Sequence, residues 1–339
     1  MKKRLAIINS DPMDCSYGGV APIMRNMHDT LSDRFDLDYL YLPVSWKKTH
    51  LPCRLLIMIY LALHMRRMCN AEFILSHIPE GSYVASFSGV PYAHIYHGNA
   101  NPMEGSRYSF GKYFKWVFEA FFRRIEKTAA LRYTVGPVWD DVKKLFNPIV
   151  QNVHPVPTTD RRGFIFCGRL ESLKNIDRLM DIYACLPDGI RAENMLYIAG
   201  SGTQEARLEE HARHLGLQDE ILFLGSVDNS RILELDAGRK LMMMASSYEG
   251  FPTAIAEALS VGVPVVTTDV GDIPLVVKDG WNGRVLAVGC SDGEYVAAVS
   301  DVLEHYDSYA ENAYASSVIF DNKKISEALA DDIMKLLSI

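Results

Sequence analysis

The chain has 339 residues, of which 48% are hydrophobic, 23% charged and 10% aromatic. These values are typical of globular proteins and exclude disordered, collagen-like and low-complexity chains, and the length predicts two domains or one large one. The net charge of −7 divides unevenly, because residues 1–150 carry +6 and the rest of the chain −13.

Cysteine usage and apolar runs indicate a cytoplasmic protein. Six cysteines are scattered without a C-x-x-C pair or a histidine at metal-ligand spacing, so we expect neither a zinc site nor a disulfide framework. The first residues hold too short an apolar run for a signal peptide. The longest nearly apolar run, 55–65, is well below the ~20 residues that cross a bilayer.

In the first half, short apolar runs alternate with helical patterns, which is typical of parallel sheets in α/β proteins. The predicted strands are Arg4 to Ile8, Phe35 to Leu42, Phe73 to His77, Ala93 to His97 and Leu131 to Val135.

Two stretches of the first half, 54–68 and 111–132, carry most of its basic excess and read as amphipathic helices. Neither stretch carries a nucleic-acid-binding signature. Their basic charge therefore favours an anionic lipid or substrate as the partner over nucleic acid. A helix with apolar or aromatic residues on one side and cations on the other can lie in a membrane surface. The alternative is a core helix with a solvated basic face.

A proline-containing stretch, 147–163, reads as a connection between domains. The predicted strands after it are Gly163 to Cys167, Met195 to Ala199, Ile221 to Leu224, Lys240 to Met244, Val263 to Thr267 and Gly283 to Leu286. We therefore expect an α/β protein with Rossmann-like domains over 1–158 and 159–321, and a helix over about 322–339 that packs back on the first domain.

The segment 246–274, SSYEGFPTAIAEALSVGVPVVTTDVGDIP, carries the most chemical information. It predicts a loop after a strand and then a helix over 253–260, which Gly262 ends. Glu249 would lie in the loop and Glu257 one turn into the helix. Backbone N–H groups at the amino end of this helix suit phosphate, and the two carboxylates suit sugar hydroxyls. Taken singly, each glutamate is equally compatible with a solvated surface acid.

E-G-F-P followed by E-A-L and G-V-P-V-V resembles the signature of the retaining glycosyltransferases of family 4, which have the GT-B fold. The resemblance continues upstream in FIFCGRLESLKNIDRLM, where Arg169 and Lys174 stand as in the family's diphosphate clamp. It extends to YIAGSGTQEARLEE and to ILFLGSVDNSRILEL, where residues 223–226 resemble the segment that frames the nucleotide base. It is weaker in the first half, where it rests on a Gly-Gly after the first strand and a His-Gly after YAHIY.

The resemblance implies two Rossmann-like domains facing each other across a central cleft, with Arg169, Lys174, His97 and Glu249 as catalytic residues. Glu249 would hold sugar hydroxyls, Glu257 the ribose hydroxyls, and His97 the sugar from the opposite wall. The implied donor-binding residues are Gly18, Gly19, Asn99, Gly168, Gly200, Gly202, Leu224, Gly225, Gly250, Phe251, Pro252, Thr253 and Glu257. Where the family often has Gly-Gly-x-Pro-Glu, this chain has GDIPL from Gly271, so a carboxylate has moved from the fifth position to the second.

The implied reaction is transfer of a hexose-type sugar, with retention, from a nucleotide-diphosphate donor to a glycan or lipid-linked acceptor. No carboxylate stands as an obvious nucleophile, so we expect front-face displacement in which cations stabilise the leaving diphosphate. No D-x-D metal motif stands out after a strand, so neither a catalytic metal nor a cofactor is expected. The implied setting is cell-surface polysaccharide or lipopolysaccharide synthesis at the inner face of the membrane.

Other functions stay open at this point. A sugar-nucleotide isomerase of the 2-epimerase type has the same fold but needs no acceptor. A noncatalytic sugar-nucleotide-binding module should have lost the cations or the glutamate pair, and this chain keeps both. A nicotinamide enzyme is disfavoured, because no G-x-G-x-x-G follows the first strand.

Overall fold

The computed structural model describes residues 2–13, 20–47, 52–97, 115–136, 141–150, 152–250 and 253–338. The chain divides into two compact units, one of Met1–Pro148 with Asn322–Ile339 and the other of Ile149–Asp321. Each unit has its own six-stranded parallel sheet with helices between the strands, so the predicted α/β class is confirmed.

The sheet of the first unit runs in the order β2-β1-β3-β4-β5-β6. Its strands are β1 (Lys3–Ile8), β2 (Phe35–Leu40), β3 (Phe73–Ser76), β4 (Tyr92–Tyr96), β5 (Leu131–Thr134) and β6 (Lys143–Lys144). Its helices are α1 (Val20–Arg34), α2 (Val44–Lys47), α3 (Cys53–Leu63), α4 (Met65–Cys69), α5 (Pro79–Ala85) and α6 (Lys115–Thr128), joined by α15 (Asn322–Leu336). The sequence missed β6, because two lysines at a sheet edge leave no apolar run to detect.

The sheet of the second unit runs in the order β12-β11-β10-β7-β8-β9. Its strands are β7 (Phe164–Cys167), β8 (Leu196–Ala199), β9 (Ile221–Gly225), β10 (Leu241–Met243), β11 (Val265–Thr268) and β12 (Gly283–Leu286). Its helices are α7 (Ile176–Ala184), α8 (Asp188–Glu193), α9 (Glu205–His214), α10 (Asn229–Ala237), α11 (Thr253–Ser260), α12 (Ile273–Val276), α13 (Asp292–Glu304) and α14 (Tyr306–Ser316).

Burial explains why these segments form strands and helices. Every residue of β7 and β11 is buried, as expected for parallel strands covered by helices on both faces. Helix α7 buries Ile176, Leu179 and Tyr183, at helical spacing along one face. Because all strand pairs are parallel, the loops after the strands gather at one edge of each sheet, which is where ligands bind in such folds.

The units divide after Pro148, ahead of the boundary predicted at residue 158. The difference arises because Ile149 bridges to Asp321 and its N–H donates to the Phe320 carbonyl at 2.8 Å, which ties this stretch to the second unit.

The last helix, α15, packs against α1 of the first unit. The Asn322 side chain donates to the Asn26 carbonyl at 3.1 Å, and Tyr133 donates to Asp332 at 2.7 Å. The last helix and the first half of the chain thus form one unit.

The stretch 54–68, read from the sequence as one helix, is two. Helix α3 ends at Leu63 and α4 begins at Met65, because His64 leaves helical geometry with ψ at 17°. Among the helices that the structure describes, none has both the length and the apolar character required to cross a bilayer.

Candidate active site

The loop after β7 carries the two predicted cations. Arg169 is exposed, and Lys174 closes a short 3-10 turn at Ser172–Lys174 and is half-buried. Asn175 follows in the left-handed region with φ of 47° and donates from its side chain to the Ala245 carbonyl at 3.1 Å. This bond ties the loop to the chain that leaves β10.

The loop after β10 carries Glu249, which is only 7% exposed. The Ser246 hydroxyl donates to Glu249 Oε1 at 2.7 Å, and the Ser247 N–H donates to the Leu173 carbonyl at 2.9 Å. Since β10 pairs directly with β7, both loops leave the same edge of the sheet side by side.

An ion pair joins the two loops. Lys174 Nζ lies 2.6 Å from Glu249 Oε1 and 2.7 Å from Oε2. A lysine ammonium has three N–H donors, and one carboxylate can engage at most two of them, which leaves at least one for another acceptor. The structure therefore brings together two of the predicted catalytic residues and rules out a solvated surface position for Glu249.

Four of the predicted glycines, Gly168, Gly200, Gly202 and Gly225, form a layer of closely packed backbone. A Cβ on Gly200, whose φ is +140°, would lie 1.8 Å from the Gly168 carbonyl oxygen. A Cβ on Gly202 would lie 2.4 Å from the Leu170 carbonyl oxygen. The Gly200 N–H also donates to the Gly225 carbonyl at 2.8 Å. Side chains are excluded here because the loops after β7, β8 and β9 approach through their backbones.

The backbone of Gly271 packs closely against the backbone of Glu249. Its φ of +56° is in the left-handed region, and a Cβ would lie 2.2 Å from the Glu249 carbonyl oxygen. The segment that departs from the family pattern therefore still has the glycine that this close approach requires. Leu275, at the position where the family often has a carboxylate, is 40% exposed.

Glu257 lies in α11, which runs over Thr253–Ser260 as predicted, and it is half-buried there. Burial, and secondarily the carboxyl of Asp236, raise the pKa of Glu257 to about 8. Asp236 is fully buried, which raises its pKa to about 8 as well, and its Oδ1 accepts from the Cys167 thiol at 3.5 Å. Asp236 was not a sequence candidate, because a single aspartate in a helix gives no signal.

A cavity of ≈ 390 Å³ adjoins the predicted base-binding segment. Leu224 lines it, and Gly225, the next residue, has a φ of +63°. The other lining residues are Val227, Arg231, Glu234, Leu235 and Arg239.

Several predicted residues lie outside the described ranges: Gly18, Gly19, Asn99, Phe251 and Pro252. Gly250 and Thr253, on either side of Phe251 and Pro252, lie within the described ranges. The Gly250 carbonyl accepts a hydrogen bond from the Asp272 N–H at 3.4 Å. Among the described residues, no group of three or more His, Cys, Asp or Glu could hold a metal ion.

In the first unit, His97 follows β4 and pairs with His77, which follows β3. His77 Nδ1 lies 2.9 Å from His97 Nε2, and the two rings stack at 5.2 Å with an angle of 25°. Burial lowers the pKa of His97 to about 4, so the ring is neutral at pH 7. His77 was not a sequence candidate, although its place directly after a strand could have marked it.

The two basic stretches of the first unit present different faces. In α3 the side chains of Leu55, Ile59 and Leu63 form an exposed stripe, with exposed fractions of 47%, 41% and 70%. In α6, Phe118 and Phe121 are buried in the unit, whereas Trp116 is 66% exposed. Both helices therefore expose apolar side chains, three in a stripe on α3 and Trp116 on α6.

Comparisons with known proteins find glycosyltransferases among the proteins that this chain resembles. Residues 152–317 match the family Glycosyl transferases group 1. The chain is 30% identical over 185 residues to D-inositol 3-phosphate glycosyltransferase 2 of Catenulispora acidiphila, covering 51% of this chain and 43% of that protein. It is 26% identical over 176 residues to the lipopolysaccharide 1,6-galactosyltransferase of Salmonella typhimurium, covering 48% and 46%. The matched segments thus span less than half the length of these relatives.

The fold is that of solved glycosyltransferase structures. Anabaena Alr3699/HepE, solved in complex with UDP, superposes with a TM-score of 0.76 at 18% identity, covering 99% of this chain and 100% of that one. The predicted GT-B fold is therefore confirmed.

Proposed function

Because this chain belongs to the glycosyl transferases group 1 family, we propose that it transfers a hexose-type sugar from a nucleotide-diphosphate donor to a hydroxyl of a glycan or lipid-linked acceptor, with retention. The observation that carries the proposal is the Lys174–Glu249 pair, which joins two loops at the carboxyl edge of the second sheet. Arg169 lies exposed on one of these loops.

The charge of this edge suits a diphosphate. Arg169 and Lys174 contribute two positive charges, and Glu249 offsets one of them. Glu257 adds little negative charge at pH 7, because its pKa of about 8 keeps it mainly protonated. The edge therefore keeps a positive charge, and the third N–H of Lys174 can reach a phosphate oxygen while the other two hold Glu249.

The reaction that we propose is a front-face displacement. The bond from the anomeric carbon to the diphosphate oxygen breaks, the acceptor oxygen bonds to that carbon on the same face, and the acceptor proton goes to the departing diphosphate. Arg169, Lys174 and the backbone N–H groups at the start of α11 stabilise the charge that develops on the leaving group. No group on the protein has to change its covalent bonding.

Glu249, Glu257 and His97 bind the donor in this proposal. Glu249, held by Lys174 and Ser246, accepts hydrogen bonds from sugar hydroxyls. Glu257 holds the ribose, and the cavity beside Leu224 takes the base. His97 contacts the sugar from the first unit.

In this proposal the protein binds the anionic surface of the cell membrane at its inner face, where a lipid-linked acceptor would lie. The exposed stripe of Leu55, Ile59 and Leu63 supports this, since apolar side chains on a surface helix can enter the headgroup region. Arg66 is exposed close to the stripe in sequence and supplies charge that anionic lipid attracts, whereas the Arg54 guanidinium is paired with Glu80 at 2.6 Å. The lipopolysaccharide enzyme among the relatives supports a lipid-linked glycan as the first acceptor to try.

The test incubates radiolabelled nucleotide sugars with the protein, with and without lipid-linked glycan acceptors. UDP-glucose comes first, because HepE was also solved with UDP-glucose. We expect label in the glycan only when the acceptor is present, with the anomeric configuration of the donor. A 2-epimerase-type isomerase would instead convert the donor without acceptor. An inverted product would contradict the mechanism.

A further inference from the structure

The pair of histidines in the first unit restricts how His97 can meet a ligand. His77 Nδ1 and His97 Nε2 are 2.9 Å apart, which is hydrogen-bond distance between two ring nitrogens. One of the two nitrogens must carry the proton and the other must accept it. Nε2 of His97 is thereby committed to His77, and only Nδ1 is left for a ligand.

The surroundings keep both rings neutral. His77 is 4% exposed, and burial lowers its pKa well below the usual value, with further contributions from His97 and His94. His94, on β4, is itself buried and bonded to the Ser82 hydroxyl at 2.7 Å, and burial lowers its pKa to about 3. A proton added to either ring of the pair would therefore be unfavourable.

Two tautomer arrangements satisfy the pair. In one, both rings carry the proton on Nδ1, and in the other both carry it on Nε2. Neutral imidazole side chains intrinsically prefer the Nε2–H form, and the second arrangement gives both rings that form at once. In this arrangement His97 Nε2–H donates to His77 Nδ1, and His97 Nδ1 is a bare acceptor.

We propose that His77 is a positioning residue, which fixes the ring and tautomer of His97 so that His97 Nδ1 accepts a hydrogen bond from a hydroxyl of the donor sugar. The assignment of the ligand rests on the proposed function, whereas the tautomer does not. His97 acts as a neutral acceptor and neither supplies positive charge to the diphosphate nor donates to the sugar.

The first experiment is NMR of the whole ligand-free protein labelled with 15N-histidine at pH 7. We expect a protonated Nε2 and a bare Nδ1 for His97, and a through-hydrogen-bond 15N–15N coupling from His97 Nε2 to His77 Nδ1. A bare Nε2 on His97, a charged ring, or no coupling would overturn the assignment.

The second experiment compares variants at His77. His77→Phe keeps a stacked ring without a nitrogen, and it should lower kcat/KM for the donor about tenfold, the loss expected for one well-placed hydrogen bond. His77→Asn retains an acceptor near the place of Nδ1 and should restore most of the activity. His28→Phe is the matched control, because His28 also stacks on a ring, that of Tyr39, and bonds to it through Nδ1 at 2.9 Å in the same unit.

A double-mutant cycle tests whether His77 acts through His97. In a His97→Ala background, His77→Phe should cause no further loss of kcat/KM. Additive losses, or wild-type activity in His77→Phe, would overturn the proposal. If the wild-type protein transferred no sugar from any donor, the proposed function would fail, while the NMR result would still decide how the pair is protonated.

Discussion

Lys174 Nζ contacts both carboxylate oxygens of Glu249, at 2.6 and 2.7 Å, although 75 positions separate the two residues in the chain. They meet because β7 and β10, the strands that precede their loops, are neighbours in the sheet. The pair serves both stability and the proposed chemistry, since Glu249 is buried and Lys174 faces the edge where the diphosphate would bind.

Removing the lysine charge should separate these two roles. Lys174→Met should lower kcat/KM about 100-fold, because a group that stabilises a leaving charge contributes about 3 kcal/mol. It should also lower the free energy of unfolding by up to about 3 kcal/mol, because buried Glu249 loses its partner. The double variant Lys174→Met/Glu249→Gln should recover stability but not transfer, measured by urea denaturation and donor turnover.

Lys278→Met is the control, because Lys278 is an exposed lysine of the same unit whose Nζ donates to the Pro274 carbonyl at 2.8 Å. Near-wild-type turnover in Lys174→Met would remove this lysine from the site.

The glycine layer predicts a sharp difference between two Gly→Ala substitutions. Gly200→Ala should destabilise the second unit by at least about 3 kcal/mol, since its Cβ would lie 1.8 Å from the Gly168 oxygen at a φ of +140°. Gly189→Ala, in α8 with no atom within 4 Å of its Cβ, should be neutral or stabilise by about 0.5–1 kcal/mol. Thermal denaturation of both variants measures this, and equal melting temperatures would contradict the packing.

The buried carboxyl of Asp236 predicts how stability changes with pH. Because its pKa is raised to about 8 in the folded protein, the folded state holds a proton that the unfolded state has released between about pH 4 and pH 8. As pH rises through that interval, this group therefore lowers the free energy of unfolding by up to about 1.4 kcal/mol per pH unit. Asp236→Asn should remove the contribution of this carboxyl to the slope of unfolding free energy against pH. The variant should be more stable than wild type at pH 8.

Urea denaturation from about pH 6.5 to pH 8 measures this effect, in the upper part of the interval where Asp236 contributes to the slope. The buried histidines have lowered pKa values and act on stability in the opposite direction, but mainly below the ordinary histidine pKa of about 6.5. Asp219→Asn, an exposed aspartate of the same unit, should leave the slope unchanged. If the unfolding free energies of wild type and Asp236→Asn changed in parallel with pH, Asp236 would be ionised in the folded protein.

The exposed stripe on α3 predicts membrane binding through apolar side chains. Replacing Leu55, Ile59 and Leu63 by Gln should weaken sedimentation with anionic vesicles at least about 100-fold, since each buried side chain contributes about 1.5–3 kcal/mol. Lys115→Gln with Arg123→Gln on α6 should have a smaller effect that high salt abolishes. If the α3 variant bound vesicles as the wild type does, the stripe would have no role at the membrane.

The proposed displacement places no metal in the reaction. Sugar transfer should therefore be unchanged by EDTA after extensive dialysis. A loss of activity that only a divalent cation restores would contradict the roles given to Arg169 and Lys174.

The sequence was sufficient to predict what depends on local patterns. Apolar runs of strand length revealed eleven strands, and the resemblance of the motifs after them to a glycosyltransferase family implied that Arg169, Lys174, Glu249 and Glu257 bind phosphate and sugar. This was possible because parallel strands place their following loops at one sheet edge, whatever the order of the strands.

Only the tertiary structure decided which of these side chains meet and in which protonation state. The order β10-β7 makes Lys174 and Glu249 partners, and the neighbouring β3 and β4 bring His77 to His97. Packing also buries Asp236 next to Glu257, and it turns Phe118 and Phe121 of α6 inward while Trp116 of α6 and the stripe on α3 stay exposed. Such contacts and the resulting pKa values depend on distances and burial between segments remote in sequence, which no local pattern contains.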